Sequence, residues 1–309
     1  MLNQRSMILA KANATPSVDP VPTGAVNAIM VENLSWAPAN ARMYQRNPVR
    51  VSQGKLKALY AGALIEVKFE TEVKGSGAAG TAPEIGPLLR SCGMGETIVG
   101  ATSVTYKLAP AAAPLLYFYL YKDGKLIKVT DACGKVTGVV QTGVATRFAF
   151  SFLGHYVSET DAALATPTYN AQLPIPAIGV PFVMDSLSTF AFTKFGFDLG
   201  NVIAVPDNIA AADGFGTLQI VDRNVTADID PEDVLVATYN FYTKWSTNVA
   251  FALTTGLIGT VAGNKLQITL PAVSIVEQAP GDKGGIITRP LKLACAESAS
   301  DDEISIIFT

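Results

Sequence analysis

Apolar and polar residues alternate with a period of two along several stretches of the chain. From Ile65 to Lys74 the apolar positions are separated by charged ones, namely Glu66, Lys68, Glu70, Glu72 and Lys74. Because successive side chains of a strand point to opposite faces, this stretch predicts a strand with one buried face and one charged, wet face. Alternation also predicts strands at 148–152, 266–270 and 304–308, and Asp123-Gly124 predicts the turn of a hairpin.

Two stretches show the helical period instead. The first is expected to begin with Thr81 as its N-cap and to end at Gly93. Its apolar stripe is Ile85, Leu88, Leu89 and Cys92. The second is expected to begin with Asp230 as N-cap and Pro231 in the first turn. Its expected buried stripe is Val234, Leu235, Thr238, Phe241, Tyr242 and Trp245.

The order of these predicted elements repeats. Each half has a strand, a Pro-Glu pair, a helix, a turn and closing strands, and the two pairs begin at Pro83 and Pro231. The order alone supports a duplication, since identity between the halves is negligible. The expected fold class is therefore all-β with minor helices, as a β-sandwich or barrel in two tandem units, each with one flanking helix. The expected boundaries are a first unit at 1–157, a linker or crossover at 158–182, and a second unit at 183–309.

Composition narrows the functional classes. The 309 residues are 49% hydrophobic and 16% charged, with a net charge of −3. This excludes intrinsic disorder, and it argues against specific nucleic-acid binding, which needs a basic face. The apolar stretch 108–121 is shorter than the ~20 residues that span a bilayer. The excess of apolar residues predicts interfaces with partners.

Candidate sites for chemistry are few. Gly75–Gly80 reads G-x-G-x-x-G before a predicted helix. A dinucleotide-binding strand would be apolar on both faces, whereas the strand here is charged at every second residue, so a flexible loop is expected. His155, the single histidine, has no nucleophile motif beside it, and Cys92, Cys133 and Cys295 are spaced too widely for zinc. The acidic residues between 228 and 233 are explained by helix capping. We therefore expect no catalytic residue, metal or cofactor, and no enzyme.

Several blocks of the chain resemble one known family. They are DPVPTGAVNAIMVENLSW at 19–36, RNPVRVSQGKL at 46–56, EVKGSG at 72–77, GTAPEIGPLLRSCGM at 80–94, VAGNKLQITLPAVS at 261–274 and AESASDDEISIIFT at 296–309. Together they resemble the major tail tube proteins of bacteriophages with long, non-contractile tails (the siphovirus type). The resemblance implies a tail-tube fold, a virion protein assembled in the host cytoplasm, and rings that stack into a tube through which DNA is ejected. It also implies a tape measure protein in the lumen, and terminator and distal tail proteins at the tube ends.

Two surfaces follow as expectations from this resemblance. The charged face formed by Glu66, Lys68, Glu70, Glu72 and Lys74 is expected to line the lumen. The basic stretch 31–57 is expected to be a projecting arm, and its Arg42, Arg46 and Arg50 to make the ring-to-ring contact. Two tandem units predict a homotrimeric ring with pseudo-six-fold symmetry, and a single enlarged unit would instead give a homohexamer. The other functional classes are a ligand-binding β-sandwich of a virion or cell surface and a nucleotide-dependent enzyme.

Overall fold

A computed structural model describes residues 5–109, 111 and 113–309. Residues 1–4 of the expected first unit, and residues 110 and 112 of its apolar stretch 108–121, lie outside the described residues. Strands dominate and the helices are short, which confirms the expected all-β class with minor helices. No helix in the described part of the chain is long and apolar enough to cross a membrane.

The first half contains strands β1–β11 and two of the helices. Its elements are β1 Ser6–Ala12, α1 Gly24–Asn27, β2 Ala28–Ile29, β3 Glu32–Ala39, β4 Met43–Tyr44, β5 Leu59–Tyr60, β6 Leu64–Glu72, α2 Gly86–Ser91, β7 Met94–Val99, β8 Ser103–Leu108, β9 Leu116–Lys122, β10 Lys125–Gln141 and β11 Arg147–Asp161. The expected alternating strand and hairpin of this half are both present, as β6 and as β9 with β10.

The second half continues the same architecture. Its elements are β12 Val183–Met184, β13 Phe192–Asp198, β14 Val202–Ala204, β15 Gln219–Asp222, β16 Thr226–Pro231, α3 Phe241–Ser246, β17 Phe251–Thr254, β18 Ile258–Val261, β19 Asn264–Gln278, β20 Gly281–Lys283, β21 Ile286–Thr288, β22 Leu291–Ala296 and β23 Ser305–Phe308. Strands expected from alternation at 266–270 and 304–308 fall within β19 and β23.

Eight antiparallel strands lie side by side across the molecule. Their order is β3-β6-β11-β10-β13-β16-β22-β19. The first four strands come from the first half of the chain and the last four from the second half. Main-chain pairing between β10 and β13 therefore joins the halves in one sheet, and β8 with β23 makes a second joint.

The same set of pairings occurs in each half. In the first, β6 is followed by a helix, a hairpin leads into the long strand β10, and β11 returns to pair with β6. In the second, β16 is followed by a helix, a hairpin leads into the long strand β19, and β22 returns to pair with β16. Each half contributes a set of four strands, and we call the first strand of each set, β3 or β13, its outer strand. The outer strands β3 and β13 pair with β6 and β16 in the same way. The division into two domains stays a prediction, because the pairings describe one continuous sheet.

The buried side of the sheet forms one core with residues from both halves. Phe69 of β6 stacks on Phe150 and Phe152 of β11, with ring centroids 5.6 and 6.0 Å apart. Phe148 of β11 meets Phe197 of β13 edge to face at 5.4 Å, so aromatic packing crosses the joint between the halves. The period-two pattern placed these residues on one face, and close aromatic contact adds to the stabilisation from burial.

The stretch 158–182 is not a free linker. Its first residues, 158–161, belong to β11. Ile175 is buried, donates its N–H to the Val73 carbonyl at 3.1 Å, and accepts from Thr146 N at 3.0 Å. The crossover between the halves stays a prediction, and the apolar residues among the prolines of this stretch pack back onto the first half.

The two expected helices are shorter than predicted. In α2 the N-cap is Ile85, not Thr81, while the stripe of Ile85, Leu88, Leu89 and Cys92 is fully buried as expected. Gly93 ends this helix with a φ of 87°, a conformation that glycine adopts without steric cost.

The second helix begins at Phe241, behind an Asn240 cap whose Oδ1 accepts from Thr243 N at 3.0 Å. Asp230 is not an N-cap: it lies in β16, and its Oδ1 accepts from the N–H groups of Thr193 and Lys194 at 2.8 and 2.7 Å. The predicted stripe was also wrong at its exposed members, which are Leu235, Thr238, Tyr242 and Trp245. Pro231 ends a strand here, and a proline is equally compatible with a strand end and a first helical turn.

Candidate functional surfaces

One face of the eight-stranded sheet points away from the core and carries charge. Residues directly paired across antiparallel strands share a face. One such row runs through Glu32, Glu70, Ala149, Thr137, Asp198, Thr226, Ala294 and Ser274, and so crosses every strand. A neighbouring row runs through Glu72, Arg147, Val139, Gly196, Asp228, Lys292 and Glu277. We call this surface the charged face.

Acidic side chains outnumber basic ones on the charged face by eight to five. The acidic residues are Glu32, Glu66, Glu70, Glu72, Asp198, Asp228, Asp230 and Glu277, and the basic ones are Lys68, Lys135, Arg147, Lys194 and Lys292. The remaining positions of the two rows are mostly small or hydroxylated, among them Ala149, Thr137, Thr226, Ala294 and Ser274.

Ion pairs organise these charges. Arg147 Nη1 lies 3.0 Å from Glu32 Oε2 and 4.0 Å from Glu70 Oε2, so one guanidinium holds two carboxylates that would otherwise repel across adjacent strands. In the second half, Lys292 Nζ lies 2.6 Å from Glu277 Oε2. Such exposed pairs contribute roughly 0–1 kcal/mol each, so they arrange the surface more than they stabilise the fold.

The sequence-predicted charged residues of β6 lie on this face with one exception. Glu66, Lys68, Glu70 and Glu72 are half-buried or exposed. Partial burial alone would raise the pKa of Glu66, but hydrogen bonds from Lys68 and from Ser151 hold it below its ordinary value.

Lys74 is the exception, since it is only 4% exposed and its Nζ lies 3.6 Å from the sulfur of Met30. The prediction that Lys74 belongs to the charged face is wrong, because β6 ends at Glu72 and the regular alternation of side chains ends with it.

The stretch between β3 and β6 projects from the body as expected for an arm. Residues 43–60 are almost wholly exposed, and they include β4 and β5, which pair only with each other. Val49 and Val51 are fully exposed. We call residues 43–60 the arm. The preceding part of the basic stretch, 32–39, is β3 and belongs to the sheet.

The three arginines predicted for the arm differ in their surroundings. Arg46 and Arg50 are exposed and make no ion pair with any described residue. Arg42 pairs with Asp207, and its guanidinium carbon lies 4.0 Å from the Phe215 ring centroid. Arg42 thus fastens the base of the arm to a segment from the second half, and its predicted part in the ring-to-ring contact stays a prediction.

That segment, residues 199–225 between β13 and β16, folds back over one end of the charged face. Phe215 and Leu218 are buried against Leu64 of β6 and Cys133 of β10. His155 of β11 holds the same segment, with its Nδ1 2.6 Å from Asp213 Oδ2. The single histidine is thus a structural contact, in line with the expectation, and no sequence motif joined it to Asp213.

The G-x-G-x-x-G stretch is a packed junction. Gly75 N donates to Asn264 Oδ1 at 2.6 Å, and Gly77 N donates to the Gly263 carbonyl at 3.0 Å. Asn170 Nδ2 donates to the Gly75 carbonyl at 2.8 Å. These N–H groups are already engaged and α2 begins only at Gly86, so they cannot receive a pyrophosphate as a dinucleotide site would require. The expected flexible loop is instead tied to the turn before β19.

Comparisons with protein-family models and with curated proteins find no match to this chain. Among the described residues, no three His, Cys, Asp or Glu side chains are grouped as a metal site would need. Burial raises the pKa of the Cys133 thiol to about 11, which leaves it protonated and unreactive at neutral pH. The resemblance to tail tube proteins stays a prediction that rests on the sequence blocks.

Proposed function

We propose that this protein is a structural component of a phage virion, whose copies join side by side into rings. The rings stack into the tube of a long, non-contractile tail, and the tube conducts the genome during ejection. The protein has no catalytic role in this proposal, and it needs no cofactor or metal. Its partners are other copies of itself, a tape measure protein in the channel, and terminator and distal tail proteins at the ends.

The observation that carries the proposal is a strand pairing that forms within the chain between β10 and β13. The corresponding pairing, between the end of β19 and β3, does not form among the described residues, so both of these strand edges are open. Residues 137–141 of β10 pair with β13, the outer strand of the second half. Strands β10 and β19 can be aligned at their first residues, Lys125 and Asn264, which follow the hairpin turns. In this alignment residue 137 of β10 corresponds to residue 276 of β19. In the described chain no strand pairs with that edge of β19, and β3, the counterpart of β13, pairs only with β6. Exposed edges of this kind are templates for another chain.

Joining β3 of one copy to the end of β19 in the next repeats the internal β10–β13 joint. Repetition then extends the eight-stranded sheet into a closed wall with the charged face on one side. Each chain supplies two corresponding sets of four strands, so three chains give the pseudo-six-fold ring. A homohexamer of single units is the alternative.

The charged face suits the inner wall of such a ring. Its acidic excess repels phosphate, and its basic residues are mostly paired with carboxylates. A basic wall would bind DNA without sequence preference and would release counterions in doing so. A DNA duplex that moves through the channel instead needs a wall that binds it only weakly.

The arm provides the contact between stacked rings in this proposal. It emerges at one end of the sheet strands, carries exposed Val49 and Val51, and keeps Arg46 and Arg50 free of described partners. A solitary molecule would leave this apolar surface in water, whereas a neighbouring ring would cover it.

Electron microscopy of the purified protein tests the function. We expect rings and rods, and native mass spectrometry of isolated rings should give three chains. A variant that lacks residues 45–53, and so Arg46, Val49, Arg50 and Val51, should form rings without rods. Concentrated protein that remains monomeric, with no annular form, would contradict the function, and six chains per ring would contradict the trimer alone.

One observation favours a second function. The rings of Tyr242 and Trp245 lie 5.5 Å apart on an exposed part of α3, so two amphipathic rings are accessible to a ligand. Trp245 Nε1 donates to the Val276 carbonyl, so this pair lies at the open edge of β19. Quenching of tryptophan fluorescence by soluble glycans, in protein that stays monomeric, would favour a ligand-binding module; its absence, with rings present, supports burial of the pair at the joint.

A further inference from the structure

The segments 40–63 and 199–225 occupy corresponding positions in the two halves, but the first is mostly exposed and the second is packed on the sheet. Each connects an outer strand to the next strand of the sheet, β3 to β6 and β13 to β16, and each contains one short two-stranded ladder. Segment 199–225 is packed on the first half through Phe215, Leu218 and the His155–Asp213 contact. The arm, in 40–63, is exposed along its length.

We propose that the arm of one copy docks on the second half of a neighbouring copy in the same ring. We call its docking site on that second half the seat. The seat corresponds to the surface of the first half that segment 199–225 covers. This inference rests on the proposed function, because it requires copies joined side by side. It differs from the stacking contact, since the seat lies at the same end of the sheet as the arm and a ring stacked above would present its opposite end.

The strand register identifies the seat. In the first half, Lys68 of β6 pairs with Ser151, which pairs with Lys135 of β10. In the second half, Thr226 of β16 pairs with Ala294, which pairs with Ser274 of β19. Lys135 and Ser274 are equally far from the turns that begin their strands, so the two rows correspond.

Counting residues along the chain from these two corresponding rows identifies a specific pair of contacting residues. Asp213 precedes Thr226 by the same number of residues as Lys55 precedes Lys68, and His155 follows Ser151 as Ser298 follows Ala294. The counterpart of the His155–Asp213 contact is therefore Ser298 of one copy against Lys55 of another. Ser298 is exposed, and it lies in the turn after β22.

The charges of the two surfaces are complementary. The arm contains no acidic residue, and its basic residues are Arg46, Arg50, Lys55 and Lys57. The turn around Ser298 carries Glu297, Asp301, Asp302 and Glu303. Arg223 Nη2 forms ion pairs with Asp301 Oδ1 at 2.6 Å and with Glu303 Oε1 at 2.8 Å. Glu297 is exposed beside Ser298. Attraction between opposite charges fixes the orientation of such a contact and speeds its formation.

The surface beneath the seat is also open. The counterparts of Cys133 and Leu153, which segment 199–225 covers, are Ala272 and Ala296. Cys133 is buried, whereas Ala296 is exposed and Ala272 half-buried. These small side chains leave room for the apolar residues of an incoming arm, and a second copy of this chain is the occupant that the repeat selects.

Cross-linking between two variants, each with one added cysteine, tests the contact. Lys55→Cys and Ser298→Cys are made in separate, differently tagged chains, mixed, assembled and treated with a short bismaleimide. We expect a covalent heterodimer that carries both tags, which only a contact between chains can give. Wild-type protein controls for Cys295, the native cysteine that is not fully buried.

A matched control replaces Lys55→Cys by Thr102→Cys. Thr102 is exposed in the β7–β8 turn, beyond the Phe308 end of β23, whereas Ser298 precedes the other end of β23. Rings without a Lys55–Ser298 heterodimer, or with an equal yield from the control, would overturn the docking inference alone. Absence of rings in uncross-linked wild-type protein would overturn the proposed function instead.

Discussion

Asn264 is the residue whose removal tests most directly whether the G-x-G-x-x-G stretch is a structural junction. It is only 8% exposed. Its Oδ1 accepts from Gly75 N at 2.6 Å and its Nδ2 donates to the Leu173 carbonyl at 2.9 Å. One side chain thus connects the turn before β19 with β6's end and with the segment 162–182.

Asn264→Ala should lower the free energy of unfolding by about 1–3 kcal/mol. The substitution leaves the buried Gly75 N–H without its acceptor, and one unsatisfied buried group costs roughly 1–3 kcal/mol. Leu173 is exposed, so water can replace the hydrogen bond that its carbonyl loses. A water that enters the vacated space would recover part of the cost, which sets the lower bound.

Urea unfolding followed by tryptophan fluorescence measures this difference. Wild type and variant are compared at one protein concentration, because assembly adds to apparent stability. Asn47→Ala, at an exposed position of the arm, is the matched control and should stay within about 0.5 kcal/mol of wild type. A loss for Asn264→Ala no larger than that of the control would refute the junction.

Three further outcomes are expected. Leu218→Ala should destabilise by roughly 2–5 kcal/mol in the same urea assay, since Leu218 is buried, while Leu235→Ala at an exposed site should be near neutral. Changing Glu66, Glu70 and Glu72 together to Lys should slow DNA release from particles, and unchanged ejection kinetics would remove this face from the lumen. The Arg289 hydrogen bond holds the pKa of Asp233 below its ordinary value, so Asp233→Asn should cost about 1 kcal/mol at pH 7. The difference should begin to shrink near the ordinary pKa of about 4 and disappear as pH falls through the lowered pKa of the folded protein; a constant difference would contradict the pairing.

Local alternation predicted the strands well because it reports burial directly. In β6 each residue expected inside is buried, and the charged residues expected outside are accessible as far as Glu72. The same signal was present in β16, where Asp228 and Asp230 alternate with Ala227 and Ile229. It agrees with the strand expected before the second Pro-Glu pair. Only the additional role of Asp230 as a helix N-cap was wrong, because acidic residues before a proline also fit a helix start.

The contacts that define the surfaces were not predictable from local patterns. His155 and Asp213 are 58 residues apart, and Asn264 lies 189 residues from Gly75. Nothing near Arg42 distinguishes it from Arg46 and Arg50, yet only Arg42 pairs with Asp207. Such pairs depend on the order of strands in the sheet, which a single sequence does not specify.

The main-chain joint between β10 and β13 changes how a ring would be assembled. Every chain folds with one of its two kinds of joint already closed. A trimer therefore closes three joints between molecules through two association events, where six separate units would close six joints through five. Bringing two molecules together costs an estimated 4–15 kcal/mol of translational and rotational freedom, and folding of the three chains replaces three of those five events. Ring formation should accordingly set in at lower protein concentration and depend on its third power, and the covalent link enforces strict alternation of the two halves around the circle.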